Sequence, residues 1–411
     1  MSKQGFNTKA IHAGHSEFSP DSMSAPIYQS VAYPYADAKE AADIFTGEKP
    51  GYTYGRWDNP TVNLFETRMA ALENTEAAIA ASSGMAAIFL LTHHLLSPGE
   101  NVVSSNRVYG GTFGLFNVGL PKMGAGVKWV TKPESIAAWE KAIDSKTKFL
   151  FVETPSNPSL FIADIPALAA LAKRKKLPLV VDNTICTPAL QQPITLGADI
   201  VVHSTTKYIC GNATSLGGIV CGSKNLIDGI RQNGIRYLGP AMAPLNAWLS
   251  LNGLETLALR MERHCSNALA IAKFLEKHPK VNFVNYPGLP SNPYHKMIKS
   301  QMKGCSSLMS FELKGTYEEA TKFIDALQII LHATHLGTCK TIVTHPASTT
   351  HSAMGEAEMR KAGISPSLIR LSIGIEDEKD LINDLSQAFK NMSLNNKKTA
   401  SFKSGKYPLA F

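Results

Sequence analysis

Short apolar runs alternate with segments of helical periodicity over most of the chain. Seven of these runs have the length of a strand. They are Glu76–Ala81, Asn101–Ser104, Val127–Val130, Lys148–Glu153, Leu177–Asp182, Ile200–His203 and Gly218–Cys221. Because the runs are apolar on both faces and helical segments separate them, the pattern predicts a parallel or mixed sheet that helices cover on both sides.

A smaller unit follows the seventh run. Leu, Met and Ala recur at helical spacing over roughly Pro244–Leu275, which predicts one long helix. The later predicted elements are strands at Val281–Tyr286, Ser307–Leu313, around Ile342 and at Leu368–Ser372, and helices at Tyr317–Ala326 and Glu378–Phe389. The chain is therefore expected to form a large α/β domain followed by a smaller α+β domain.

The first 60 residues are rich in Tyr, Gly and Pro and show little periodicity. They predict an extended arm with one short helix near Ala36–Phe45, ahead of a helical stretch at Val62–Leu72. The predicted domains are an arm over 1–60, the large domain over 61–255, the smaller domain over 256–395 and a basic tail over 396–411.

Composition and charge narrow the class of protein. Of the 411 residues, 44% are hydrophobic and 18% are charged, which excludes a disordered chain and a coiled coil. The net charge of +8 invites a nucleic-acid partner, but residues 390–411 hold five Lys and no acid, which leaves only +3 for the rest. We expect no nucleic-acid partner. DNA binding that vanished on deletion of residues 390–411 would instead support a nucleic-acid partner.

One segment has nearly the length needed to span a bilayer. Residues 77–98 carry no Asp, Glu, Lys or Arg over 22 positions. The Ser-Ser-Gly at 82–84 favours a buried strand, a tight turn and a buried helix instead. The six Cys are scattered with no C-x-x-C motif, which is typical of reduced thiols and predicts no metal site. We expect no membrane association and a cytoplasmic location.

Polar residues stand directly after three of the apolar runs. In an open α/β sheet, ligands bind beyond the carboxyl ends of the strands. Asp182 ends one run, Ser204, Thr206 and Lys207 follow the next, and the Ser-Ser-Gly turn follows the first run and opens a helix. Taken singly, each group has an ordinary explanation as a turn residue, a helix cap or a solvated lysine.

Taken together, these groups describe a site for pyridoxal 5′-phosphate (PLP). A helix N-terminus with Ser and Gly binds phosphate through free N–H groups and the helix dipole. Ser204 and Thr206 can add hydroxyl donors to the same phosphate. Lys207, in an apolar site near other cations, could form a Schiff base. Asp182 could hold a proton on a ring nitrogen, as a PLP site requires.

Four ordered motifs resemble the Cys/Met-metabolism PLP-dependent enzymes. They are Ser-Ser-Gly-Met at 82–85, Tyr-Gly-Gly-Thr at 109–112, Val-Asp-Asn-Thr at 181–184 and His-Ser-Thr-Thr-Lys-Tyr at 203–208. The similarity runs from about Thr8 to Phe389, with Arg-Leu-Ser-Ile-Gly-Ile-Glu-Asp at 370–377 near its end. The resemblance implies the PLP-dependent transferase fold type I, an α/β fold with a large mixed-sheet domain, a smaller C-terminal α+β domain and an N-terminal arm.

The resemblance also implies roles toward the cofactor. Lys207 would hold PLP in a Schiff base and then move protons, and Asp182 would pair with the pyridine nitrogen. Tyr109 would stack on the ring and serve as an acid or base near the substrate. The residues implied at the phosphate are Ser83, Gly84, Met85, Ser204 and Thr206.

Further roles concern the amino-acid substrate and the assembly. Arg370 would bind the substrate carboxylate, and Asn157 would lie near that carboxylate and the ring oxygen. His335 stands where the family usually has a small polar residue, and it would line the substrate pocket or pack beside the entrance. Tyr54 and Arg56 match a motif that reaches the phosphate of a neighbouring subunit, which implies a homotetramer built as a dimer of dimers.

Local differences within the family favour one reaction. Thr334 replaces a Glu that meets the distal amine of the substrate in cystathionine enzymes of the γ type, and Gly111 replaces a Cys that is common in methionine γ-lyases. The motifs at 237–244, 253–264 and 345–351 look most like O-acylhomoserine sulfhydrylases. Gly84, Met85 and the overall length look more like methionine γ-lyase.

Two reactions therefore stay open. The lead hypothesis is a sulfhydrylase that joins sulfide to an O-acylhomoserine. The alternative is a carbon–sulfur lyase that acts on methionine, cystathionine or cysteine. The acyl group and the thiol donor are left open by the sequence.

Overall fold

The computed structural model describes residues 4–19, 21–349 and 365–392. Seven of the described strands form one sheet. They are β1 Ala77–Ala81, β2 Asn101–Ser105, β3 Gly126–Val130, β4 Thr147–Glu153, β5 Leu179–Asp182, β6 Ile200–Ser204 and β7 Gly218–Gly222. Their spatial order is β1-β7-β6-β5-β4-β2-β3, with β7 antiparallel to both of its neighbours and all other pairs parallel. The predicted mixed sheet is confirmed.

The helices cover both faces of this sheet. Those up to the end of the large sheet are α1 Phe6–His12, α2 His15–Phe18, α3 Ala38–Thr46, α4 Pro60–Glu73, α5 Gly84–Leu95, α6 Gly110–Gly114, α7 Leu120–Lys122, α8 Ile136–Ala142, α9 Ile165–Lys175 and α10 Thr187–Leu190. In β1, Ala78 and Ala80 pack in the core that contains α4, whereas Ile79 and Ala81 pack in the core that contains α5. This alternation explains why the strand is apolar throughout.

A second sheet forms in the C-terminal part of the chain. Its strands are β8 Val281–Asn285, β9 Leu308–Leu313, β10 Leu331–His332, β11 Ile342–Thr344 and β12 Leu368–Ser372, in the order β10-β11-β12-β9-β8. The later helices are α11 Lys224–Ile230, α12 Arg236–Leu238, α13 Pro244–Glu255, α14 Leu257–Glu276, α15 His295–Gln301, α16 Tyr317–Asp325 and α17 Glu378–Asn391. One face of the sheet packs on α14, α16 and α17 in a separate core. The boundaries at 60/61 and 255/256 stay predictions.

The long helix predicted over Pro244–Leu275 is wrong in one respect, because it is two helices. The backbone at Thr256 leaves the helical region, with φ −108° and ψ 6°. The Gly253 carbonyl, near the end of α13, accepts a hydrogen bond from Arg260 Nη2 at 2.6 Å. The break therefore comes from a buried arginine, which apolar periodicity does not report.

The short helix predicted near Ala36–Phe45 is present as α3, but the prediction that the arm has only this one helix is wrong. Helices α1 and α2 precede α3, and α1 packs on α4. Ala10 is buried, and Phe6 packs against the same core. The reason is tertiary, because a helix of seven residues gains its stability from docking rather than from its own sequence.

Further predictions concern the cysteines, membrane-spanning helices, metal sites and the basic tail. All six cysteines are free, and three of them are buried. No helix among the described residues is long and apolar enough to cross a membrane, and within the same residues no cluster of His, Cys, Asp and Glu could hold a metal ion. The tail predicted over 396–411 lies outside the described residues.

Candidate active site

The turn between β1 and α5 has the features of a phosphate site. Ser83 is the N-cap of α5, and its hydroxyl accepts a hydrogen bond from the Ala86 N–H at 3.1 Å. The first N–H groups of a helix have no intrahelical partner, so those of Gly84 and Met85 remain for an anion. A Cβ at position 84 would lie 2.6 Å from the Ser204 Cβ, so glycine permits the close approach of β6.

Asp182 and Ser204 are joined through a residue that the sequence analysis did not single out. Thr184 donates its hydroxyl to Asp182 Oδ1 at 2.6 Å and accepts the Ser204 N–H at 2.8 Å. The Thr184 N–H also donates to Asp182 Oδ1, at 3.0 Å. Burial raises the pKa of Asp182, and these bonds oppose the rise. Asp182 therefore ends β5 with one oxygen engaged by Thr184.

Lys207 follows β6 and lies beside His335. The Lys207 Nζ is 3.3 Å from His335 Nδ1. Burial, with the nearby charge of Arg370, lowers the pKa of Lys207 to about 8. Burial and the charges of Lys207 and Arg370 lower the pKa of His335 to about 4. At neutral pH the imidazole is therefore neutral, and Nδ1 accepts while Lys207 donates.

Arg370, on β12, connects the C-terminal sheet to this lysine. Its Nη1 donates to Asn157 Oδ1 at 3.0 Å, and its Nη2 donates to the His335 carbonyl at 3.1 Å and to Thr344 Oγ1 at 3.2 Å. The side chain is buried, and its Nε has no partner among the described residues. A buried guanidinium with neutral partners is suited to an anionic ligand.

Glu153 is a buried acid that the sequence analysis missed. It ends β4, pairs in register with Asp182, and accepts the backbone N–H groups of Tyr109 at 2.5 Å and of Asn157 at 2.7 Å. Burial, followed by the charge of Asp182, holds its pKa well above the ordinary value. Glu153 thereby fixes the backbone of two predicted site residues, and its place at the end of an apolar run was the available signal.

A buried arginine supports the loop that carries Lys207. Arg260 donates to the carbonyls of Tyr208 at 2.7 Å and Ile209 at 3.3 Å. The Gly211 N–H donates to the Lys207 carbonyl at 2.8 Å. The lysine therefore lies on a loop whose backbone groups are held in place, as precise chemistry requires.

Three predicted cofactor residues have other contacts in this chain. The Thr206 hydroxyl donates to the Gly217 carbonyl at 3.2 Å and accepts the Gly217 N–H at 3.0 Å. Arg56 donates to the Arg236 carbonyl, and its guanidinium lies 5.4 Å from the centre of the Tyr54 ring. None of the described contacts joins Tyr54 or Arg56 to Lys207. The roles of all three toward phosphate stay predictions.

The remaining site residues fit PLP. The turn at Gly84 is a cradle that a Cβ would fill, beside a helix N-terminus and a serine hydroxyl. A buried carboxylate and a lysine of lowered pKa stand at the ends of adjacent parallel strands. This donor set provides a phosphate site, an amine for the aldehyde and an acid for the ring nitrogen.

Comparison with known proteins identifies the family. The sequence model for "Cys/Met metabolism PLP-dependent enzyme" matches residues 7–390. The chain belongs to this family. It is therefore a PLP-dependent enzyme of sulfur amino-acid metabolism, and the PLP cofactor expected from the strand-end residues is confirmed.

Individual members of the Cys/Met metabolism family carry different names. The O-succinylhomoserine sulfhydrylase of Pseudomonas aeruginosa is 43% identical over 93% of this chain and 94% of its own length. The L-methionine γ-lyase of Pseudomonas deceptionensis is 43% identical over 95% of this chain and 98% of its own. A Campylobacter jejuni structure described as an O-acetylhomoserine (thiol)-lyase, with pyridoxyl-lysine phosphate, has a TM-score of 0.90 at 39% identity, and covers 94% of this chain and 100% of that one. Fold type I is confirmed.

Substitution of Gly111 tests the packing beside Tyr109. In Gly111→Ala the new Cβ would lie 2.5 Å from Tyr109 Cε1 and 3.0 Å from Met85 Sδ, so the ring must move. We expect kcat/KM to fall by about 10²-fold, as for a misplaced catalytic group. The matched control is Gly110→Ala, whose Cβ meets nothing within 4 Å and should change kcat/KM by no more than about twofold. Equal effects of the two variants would contradict this account.

The lowered pKa of Lys207 predicts a pH dependence for cofactor binding. Only the neutral amine attacks an aldehyde, so the rate at which apoenzyme and PLP develop visible absorbance should rise with pH. It should level off above about 8, whereas an ordinary lysine would continue to gain rate beyond pH 10. Arg370→Met removes a neighbouring cation, which should move the plateau to higher pH. A wild-type rate that still climbs at pH 10 would contradict the assignment.

Proposed function

We propose that this enzyme is an O-acylhomoserine sulfhydrylase, which replaces the acyloxy group on Cγ with sulfide. Relatives named as a sulfhydrylase and as a methionine γ-lyase match the chain equally at 43% identity, so overall identity does not separate the two reactions. The alternative is a carbon–sulfur lyase of the methionine or cystathionine type. Local geometry favours the first.

The space around Gly111 is the observation that carries the proposal. A Cys at this position is common in methionine γ-lyases, and here the Tyr109 ring and the Met85 sulfur occupy the place of any side chain. The backbone N–H of Tyr109 donates to Glu153 Oε2 at 2.5 Å, which fixes the backbone of this residue. The chain therefore has no thiol at a position where methionine γ-lyases commonly have one, which supports a reaction other than methionine cleavage.

The charges around Arg370 support a substrate without a distal amine. Thr334, in the place of the Glu of cystathionine γ-type enzymes, is exposed and neutral. The two acids nearest the described cluster are already engaged, Glu153 by two backbone N–H groups and Asp182 by Thr184. An O-acylhomoserine side chain needs no carboxylate partner, because it carries no ammonium group.

In this proposal each cofactor residue has a defined task. The N–H groups of Gly84 and Met85, with the hydroxyls of Ser83, Ser204 and Thr206, bind the phosphate. Asp182 holds the proton on the pyridine nitrogen, and Tyr109 covers the ring. Bound PLP then supplies the electron sink for the carbanion that forms at Cα.

Arg370 and Asn157 orient the substrate. The guanidinium binds the α-carboxylate, an interaction of about 1.5–3 kcal/mol in a desolvated site. The hydrogen bond from Arg370 Nη1 to Asn157 Oδ1 leaves the Asn157 amide group free to turn its donors toward the carboxylate or the ring oxygen. Both side chains therefore set the direction in which Cα presents its proton.

Lys207 and Tyr109 move the protons. Lys207 Nζ takes the proton from Cα, passes it to the electron sink that bound PLP would supply, and then takes a second proton from Cβ. The half-exposed Tyr109 phenol can donate its proton to the oxygen that departs from Cγ, so the acyloxy group leaves as the carboxylic acid, and the Tyr109 phenolate then takes a proton from H2S. The resulting HS⁻ adds at Cγ and the two protons return to Cβ and Cα, which gives homocysteine. His335 Nδ1 holds the amine of Lys207 in place between these transfers.

Steady-state assays with purified holoenzyme test the proposed reaction. Homocysteine should form from O-acetylhomoserine or O-succinylhomoserine with sulfide, and 2-oxo acid should form slowly from methionine or cystathionine alone. Rapid 2-oxo-acid release from methionine or cystathionine without any sulfide-dependent product would establish the lyase alternative.

The proposal includes a homotetramer with active sites shared between subunits, in the cytoplasm. Large apolar side chains are exposed along the arm, among them Val31 at 62% and Phe45 at 56%, which supports an interface. The free thiols are in keeping with a reducing compartment.

Hybrid oligomers test the sharing of sites. Lys207→Ala and Arg56→Ala should each be inactive alone, because one lacks the amine and the other lacks the cation proposed to reach the neighbouring phosphate. Refolding equal amounts of the two together should restore about a quarter of wild-type activity. About half of the dimers are then mixed, and each mixed dimer has one intact site of its two. Two inactive parents whose mixture also stays inactive would contradict sharing.

A further inference from the structure

A buried acid–histidine pair lies behind the strands that carry the cofactor residues. Glu73 is the last residue of α4, and His203 is in β6, one residue before Ser204. The distance from His203 Nε2 to Glu73 Oε1 is 2.6 Å, and both side chains are 0% exposed. Neither residue has a place in the mechanism above. A buried ionisable pair is costly to maintain, so its position asks for an explanation.

The pair is attached to both strand ends. Asn183, directly after Asp182, donates its amide to Glu73 Oε1 at 3.1 Å, and its own backbone N–H donates to the Val202 carbonyl at 3.0 Å. Glu73 Oε1 therefore bonds one residue next to Asp182 and one residue next to Ser204. Because side chains alternate across a strand, His203 and Ser204 lie on opposite faces of the sheet. The pair thus supports the cofactor residues from behind.

Local preferences do not explain Glu73. A carboxylate at the C-terminus of a helix is disfavoured by the helix dipole, and here it is also buried. Glu73 Oε2 and His203 Nδ1 are buried without a hydrogen-bond partner. A residue that breaks a local rule in this way is typical of a functional constraint. On the other side of β5, Glu153 faces Asp182 from β4.

We propose that Glu73 and His203 are positioning residues for the cofactor. By holding His203 and Asn183 together, Glu73 fixes the ends of β5 and β6, so that Asp182 and Ser204 keep the spacing needed by the pyridine nitrogen and the phosphate. The inference rests on the proposed assignment of Asp182 and Ser204 to PLP. It does not depend on which substrate the enzyme uses.

The test measures the affinity of apoenzyme for PLP in Glu73→Gln, Glu73→Ala and His203→Gln. Glu73→Ala should raise the PLP dissociation constant at least about tenfold and shift the visible absorption maximum, as loss of a supporting hydrogen bond does at other sites. Glu73→Gln keeps an acceptor oxygen and should recover part of the loss. If Glu73→Ala does not fold, the two Gln variants carry the same test.

The matched control is Asp384→Asn in α17. Asp384 is also a buried carboxylate, and it accepts the N–H groups of Gln328, Ile329 and Ile330 at 2.9, 2.9 and 3.0 Å in the C-terminal sheet unit. The Asp384→Asn substitution should lower the free energy of unfolding and leave the PLP affinity and the visible spectrum unchanged. Unchanged affinity in the Glu73 and His203 variants, or an equal loss in Asp384→Asn, would overturn the proposal. The readout is PLP binding, so failure of the sulfhydrylase assays alone would leave this inference intact.

Discussion

Replacing Lys207 by Ala is expected to abolish turnover and to remove the visible absorbance of the enzyme loaded with PLP. Lys207 Nζ lies 3.3 Å from His335 Nδ1, and burial with the nearby charge of Arg370 lowers its pKa to about 8, which leaves a useful neutral fraction at physiological pH. In the proposed mechanism, both the covalent bond to the cofactor and the proton transfer at Cα depend on Lys207. We expect kcat to fall by at least about 10³-fold, within the range of a lost acid–base group.

A readout that needs no substrate and a matched control variant make the Lys207 experiment decisive. The visible spectrum reports the bond to the cofactor without any substrate, so it separates that bond from catalysis. The control is Lys224→Ala, which removes an exposed lysine that pairs with Asp228 in the same helix, and this variant should keep both the spectrum and the activity. A Lys207→Ala protein with the wild-type spectrum would refute the assignment.

Asp182→Asn is expected to reduce kcat by about 10²–10³-fold, in the range of a lost electrostatic group in an active site. Asn keeps the size of the side chain and an acceptor for the Thr184 N–H and hydroxyl. Asn lacks the negative charge that is proposed to hold a proton on the pyridine nitrogen, so the ring would lose strength as an electron sink. Activity and the spectrum of the bound cofactor should both change.

Although Asp182→Asn should lose activity, it should not lose stability. Burial raises the pKa of Asp182 above its value in the unfolded chain, so the ionised carboxylate costs stability at neutral pH. Urea unfolding of Asp182→Asn apoenzyme should therefore show an unchanged or higher free energy of unfolding. The control is Asp199→Asn at the amino ends of β5 and β6, where the carboxylate accepts the Leu179 N–H at 2.8 Å, and the activity of this variant should persist. A catalytically normal Asp182→Asn would contradict the role.

Strand ends were the part of the site that the sequence predicted best. Asp182 ends a run that is apolar because both faces of β5 are covered, and Lys207 follows the adjacent run. The rule that ligands bind at the carboxyl ends of parallel strands then indicates where the two residues meet. The structure places Asp182 at the end of β5 and Lys207 in the turn that follows the neighbouring β6, with Ser204 against the Gly84 turn.

Contacts that depend on the pairing of distant strands were not predictable from a single sequence. Glu153 faces Asp182 through the register of β4 and β5, and Glu73 reaches His203 from a helix 130 residues earlier. The sequence separation carries no signal for either. The break at Thr256 and the docking of α1 have the same origin, because a buried arginine and a tertiary contact override local periodicity.

The central claim is that sulfide completes the reaction at Cγ, and a partition measurement tests it most directly. Holoenzyme is incubated with O-acetylhomoserine or O-succinylhomoserine over a range of sulfide concentrations, and homocysteine and 2-oxobutyrate are quantified in the same sample. For one of the two substrates, homocysteine should rise with sulfide at the expense of 2-oxobutyrate until it is the main product. A yield of 2-oxobutyrate that does not respond to sulfide, with no homocysteine from either substrate, would contradict the account.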